Sequence, residues 1–213
     1  MAWFRCIGGN GGSGGSGGLK VIKYYDAAYR NGAPSTITTP TFTAEQGDLF
    51  IVAILSRGTY TLSGFTALDS QEFGGAGDTL KTFYKVSAGG TEQFSISISN
   101  RVRDEIAVFH LSGAENPSKV AGTYSNTSTR TMSFTIKGPR TIMLLATRYT
   151  SFDAPPTFED MSIKGLSFYQ NSDPSNNGAW VCGIINNETA EADISNTIRF
   201  SADNVYSYFT YSV

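Results

Sequence analysis

The sequence predicts an all-β protein, an antiparallel and jelly-roll-like β-sandwich of about ten to twelve strands. Three observations lead there. Residues 93–99 and 131–137 alternate strictly, with Phe94, Ile96 and Ile98 set against Ser95, Ser97 and Ser99, and Met132, Phe134 and Ile136 against Thr131, Ser133 and Thr135. That is the period-two signature of half-buried strands. Leu49 to Leu55 is apolar at every position, so both faces of that strand need cover, from a loop, the N-terminal segment or a neighbouring subunit. Finally, Asn31-Gly32, Gly47-Asp48, Gly113 with Pro117, and Gly138-Pro139 mark turns that end the extended segments.

Taken in order, Leu19 to Tyr25 starts a strand rich in β-branched and aromatic residues. Thr36 to Thr43 is extended and interrupted by Pro40, which suits an edge where a missing N–H costs little. After the buried run come Tyr60 to Leu68, a glycine loop at 74–77, and Thr79 to Val86, in which Leu80, Tyr84 and Val86 alternate with Lys81 and Lys85. Ile106 to Leu111 carries apolar residues on both parities, and Asn204 to Val213 forms the last strand.

The pattern then repeats. Gly47 to Arg57 matches Gly138 to Arg148 at an offset of 91 residues, while Ile106 to Leu111 resembles Tyr206 to Tyr211 at an offset of 100. An insertion between the matched segments accounts for the growth. The expected organisation is an anchor and tether over 1–18, followed by a β-sandwich over 19–213 whose halves are about 19–117 and 118–213.

The head of the chain differs from everything behind it. Trp3, Phe4 and Ile7, with Arg5 and Cys6 among them, form an apolar plug too short to fold alone, so its cover has to come from elsewhere. Residues 8–18 are glycine, serine and one asparagine, a flexible tether by composition.

A formal charge of −2 on 213 residues offers no field for a phosphate backbone, which argues against nucleic acid. The longest apolar runs are too short to span a bilayer, and no signal peptide is recognisable at the N-terminus. Cys6 and Cys182 are the two cysteines, too few for a disulfide framework or a metal site; Cys182 reads as a free buried thiol, with a Cys6–Cys182 bridge as the alternative.

Few residues suggest chemistry. His110 is the single histidine and shares parity with Ile106 and Val108, so a hydrogen-bonded packing role is expected rather than catalysis. Asp69, Glu72 and Asp78 flank the glycine loop but lack the tight acidic alternation of a calcium loop. No enzyme activity, cofactor or metal is expected. Aromatics outside the clean strands, Tyr60, Phe73, Tyr149, Phe152 and Tyr169, with Asn171 and Asp173 beside the last, are candidate contacts for a glycan or host receptor, because ring faces stack on sugars. The competing reading is that they pack the ends of the sheets.

Two sets of residues carry a resemblance. The opening Met1-Ala-Trp-Phe-Arg-Cys-Ile with its glycine tract is similar to the N-termini of small proteins encoded among phage and prophage structural genes of Gram-positive bacteria. Gly47-Asp48-Leu49-Phe50, Arg57-Gly58, Ser63-Gly64-Phe65-Thr66-Ala67-Leu68 and Thr82-Phe83-Tyr84-Lys85-Val86 resemble a β-sandwich module of phage tail and fibre proteins, with Phe65 standing where that module usually has tryptophan. The resemblance covers 1–18 and 47–111. It implies a virion structural protein, a tail fibre or capsid decoration subunit, made in the bacterial cytoplasm. Other virion proteins would bind through residues 1–18, and a homo-oligomer, by analogy with fibres a trimer, would take part in host attachment. It transfers no catalytic residue.

Overall fold

The computed structural model describes residues 20–30, 36–73, 77–99, 103–114, 116–136, 141–149, 158–160, 166–170, 180–187 and 194–213. They form fourteen strands and no helix: β1 Lys20–Arg30, β2 Thr36–Thr38, β3 Phe42–Ser56, β4 Thr59–Leu62, β5 Thr66–Phe73, β6 Asp78–Glu92, β7 Ser95–Ser99, β8 Arg103–Ser112, β9 Ser118–Ile136, β10 Thr141–Tyr149, β11 Phe158–Asp160, β12 Leu166–Gln170, β13 Trp180–Asn187 and β14 Ile194–Ser212. The count exceeds the expected ten to twelve because β2, β4 and β11 are only three or four residues long.

Every strand pair is antiparallel. A five-stranded sheet runs β1-β8-β3-β6-β5, a three-stranded sheet runs β2-β7-β4, and a six-stranded sheet runs β11-β14-β10-β13-β12 with β9 also paired to β14. Pro40 ends the first extended segment, splitting it into β2 and the start of β3. Beyond the expected Thr79 to Val86, β6 continues to Glu92 through Gly89 and Gly90, both at positive φ. A Cβ on Gly89 would come within 3.2 Å of the Gln46 backbone nitrogen, so a side chain there would crowd β3 as well as strain the backbone.

The five-stranded sheet is the middle layer. One face of β3 and β8 carries Phe50, Val52, Ile54, Ile106 and Val108, which pack with Ile37, Phe42, Phe94 and Ile96 beneath the three-stranded sheet. On the other face Leu49, Ile51, Ala53, Leu55, Leu80, Ala107, Phe109 and Leu111 meet Ile142, Leu144, Phe209, Tyr211 and Val213 of the six-stranded sheet. The all-apolar run Leu49 to Leu55 is therefore covered on both sides from within the chain, and its cover requires no neighbouring subunit.

The halves share one strand order. Replacing β1, β8, β3, β6 and β5 by β9, β14, β10, β13 and β12 turns the first large sheet into the second, and β4 beside β7 has its counterpart in β11 beside the start of β14. The registers agree too. Ile51 lies between Tyr84 and Phe109, and Ile142 between Asn186 and Tyr211, so the flanking partners are 25 residues apart in each half. With β3 and β10 matched at 91, the register sets β8 against β14 at 102, which places Ile106 to Leu111 opposite Tyr208 to Val213. The sequence match at 100 is two residues short, because parity is preserved by any even slip.

Candidate functional site

A cluster of polar groups joins the two large sheets where they meet. Asp69 on β5 donates its backbone N–H to Thr82 Oγ1 at 3.2 Å, Thr82 Oγ1 lies 2.6 Å from the Tyr211 hydroxyl, and Tyr211 donates to Asp69 Oδ2 at 3.0 Å. Since the Tyr211 proton goes to Asp69, Thr82 is the donor to Tyr211 and the three residues close a ring. Lys119 on β9 completes it, bonding Asp69 Oδ1 at 2.5 Å while its ammonium sits 4.8 Å from the Phe209 ring centre. Two residues of the first half are thus tied to two of the second through groups that polarise one another.

Burial, more than any other cause, pushes the Tyr211 phenol far above its ordinary value of 10, and the Asp69 carboxylate pushes it the same way. The phenol therefore stays protonated, and the ring acts as a clasp in which one Asp69 oxygen takes Lys119 and the other Tyr211. The described residues hold no cluster of metal-ligating side chains.

His110 is 1% exposed. Its Nε2 lies 2.8 Å from Asp48 Oδ2, which also accepts the Glu45 backbone N–H at 2.8 Å. The imidazole stacks on Phe50 at 4.5 Å. Asp48 occupies the bend before the buried run, where β3 slips register against β6 between Gln46 and Leu49. The pair pins that bend to β8, the packing role expected of a histidine with apolar strand neighbours.

The sequence-derived glycan candidates do not gather into a described site. Tyr60, on β4, is half-buried, sets its ring edge-on to Phe83 at 6.0 Å, and carries Lys81 Nζ 4.8 Å over its face. It packs with the first-half core, so one ring face is already occupied. The backbone of Phe73 pairs with Asp78 in the β5–β6 hairpin, that of Tyr149 with Asn204 at the end of β10, and that of Tyr169 with Ile184 inside β12. Phe152, Asn171 and Asp173 lie outside the described residues, as do the anchor residues Trp3, Phe4, Arg5, Cys6 and Ile7. Cys182 sits in β13 opposite Ala146.

Sequence reasoning missed the clasp. Asp69 and Tyr211 are 142 residues apart, and nothing local pairs them. A usable signal was present in the parity of the last strand, which puts Phe209 and Tyr211 together on the core face of β14.

Neither a family model, a curated protein nor a solved structure matches the chain.

Proposed function

We propose that this chain is a non-enzymatic bacteriophage virion structural protein, a fibre or decoration subunit that docks through residues 1–7 and displays its β-body from the tether of residues 8–18. One observation supports the reading: the middle sheet finds cover for both of its apolar faces within the chain. Among the residues whose side chains are described, the large exposed hydrophobics are Val86, Val120 and Tyr124. The apolar plug of Trp3, Phe4 and Ile7 is the natural docking element, in accord with the phage resemblance of residues 1–18 and 47–111. Any homo-oligomer, the trimer included, would then be organised at the plug rather than by sheet stacking. Deleting residues 1–18 should leave a folded domain that no longer joins particles. Normal incorporation of the truncated chain would overturn the proposal.

A second reading, a host-surface glycan binder, has one observation in its favour. Tyr206 and Tyr208 on β14 stack at 6.4 Å and 15° and are each half-buried, with Ser125 and Thr123 opposite them in register. Rings beside hydroxyls suit a sugar. Loss of binding to host-wall polysaccharide in Tyr208→Ala or Tyr169→Ala would support it, and the same binding in both variants would exclude these rings.

A further inference from the structure

We infer that the contact between the two halves is an exchangeable interface: the first half accepts the second half of another copy of this chain, and the connector over residues 113–117 decides which copy supplies it. The inference starts from how the sheets lie on one another. β9 contacts β5, β14 contacts β5, and β13 contacts β8, while Tyr211 of β14 bonds Thr82 of β6. The order β9-β14-β10-β13-β12 is therefore laid over β5-β6-β3-β8-β1. Under the correspondence of the halves, β8 over β13 becomes β14 over β6, and β5 over β9 becomes β12 over β1, with β3 and β10 facing each other on the axis. Two halves of one chain thus meet as the two protomers of an isologous dimer do, through the same face on each side.

Such a face is indifferent to which chain supplies its partner; the connector is what makes the pairing internal. β8 ends at Ser112 and β9 begins at Ser118, with β9 lying against β5, three strand positions away from β8. Three strand spacings and one sheet separation amount to about 17 Å. Five residues give six Cα steps, a reach of at most about 20 Å. The span takes up most of that reach, and Gly113 bends the path at positive φ. Its Ala114 and Asn116 line a shallow cleft of about 340 Å³ with Gly47 of β3 and Val86 of β6. Losing two residues cuts the reach to about 14 Å, below what the internal pairing needs. Exchange then keeps every contact of the shared core and changes only the path of the connector.

The test uses the full chain in two forms, one lacking Glu115 and Asn116 and one with six Gly/Ser residues inserted after Asn116. Light scattering gives the mass, and circular dichroism with tryptophan emission reports the fold. The deletion should double the mass relative to the parent chain with the β spectrum unchanged, and the lengthened chain should keep the parent mass. A deletion chain that stays folded at the parent mass overturns the inference. So does one that loses its fold while the lengthened chain keeps it, or a lengthened chain that pairs as the deletion does.

Discussion

The two halves have the same strand order and ladder register, yet their partner-facing positions carry different chemistry. The second half runs as single 19-residue strands, β9 and β14, where the first breaks into β1 with β2 and β7 with β8. Tyr211, Thr82 and Asp69 form the clasp on one side of the axis. By register the counterpart positions on the other side are Phe109, Ile184 and Tyr169. Size is redistributed as well: Phe209 lies opposite Gly122 in β14 and β9, where β8 and β1 have Ala107 opposite Asp26. Parity and hairpin connection are enough to reproduce an architecture, while a single polar cluster makes the two sides of the axis unequal. That inequality gives the face-to-face packing one preferred register, a role that fully satisfied buried polar groups can serve.

The largest expected effect comes from the layer both halves share. Phe109 is fully buried between the large sheets, so Phe109→Ala should cost about 3–5 kcal/mol, read as a lower urea midpoint. A cost below about 1 kcal/mol would mean that the sheets do not pack there.

Exchanging the hydroxyl across the axis sharpens the comparison. Tyr211→Phe leaves Thr82 and Asp69 short of a partner and should cost about 1–3 kcal/mol. Phe109→Tyr brings a hydroxyl to the side whose counterpart of Thr82 is Ile184, and should also destabilise rather than compensate. The clasp adds a pH signature. Because folding raises the Tyr211 pKa, its protonated form is favoured in the folded state. That stability is complete below the unfolded value near 10 and declines as pH rises past it. Burial, and next to it Tyr206, raises the Tyr208 phenol too, so Tyr211→Phe should lessen the alkaline loss measured between pH 9 and 11 without abolishing it.

The smallest effect tests the redistribution of size. A Cβ on Gly122 would meet Phe209 Cδ1 at 2.9 Å, so Gly122→Ala should cost about 1 kcal/mol through overpacking. In a Phe209→Leu background that cost should shrink.

The sequence made much of the architecture legible, because period-two alternation and turn residues act locally. Residues 93–99 showed β7, and the doubly apolar Leu49 to Leu55 announced a middle layer. The match of Gly47–Arg57 to Gly138–Arg148 aligned β3 with β10, which hold corresponding places in the two large sheets. What covers the middle layer was not legible, since parity separates the faces of a strand without saying which strand lies opposite. The stretch 118–130, rich in small and polar residues, gave no alternation, and it becomes strand by pairing with β14. Asp69 looked like a loose acidic residue beside a glycine loop because its partners, Lys119 and Tyr211, follow 50 and 142 residues later.

The five-stranded sheet belongs to two cores at once, so neither half melts without the other. Phe42 lies in the first-half core alone, and in a Trp3→Phe background Trp180 reports from β13 of the second half. The decisive measurement is urea unfolding of Phe42→Ala followed by Trp180 emission and by circular dichroism. The two transitions should coincide and move together to lower urea. A Trp180 transition left at the midpoint of the parent chain, while the circular dichroism splits in two, would contradict the shared layer.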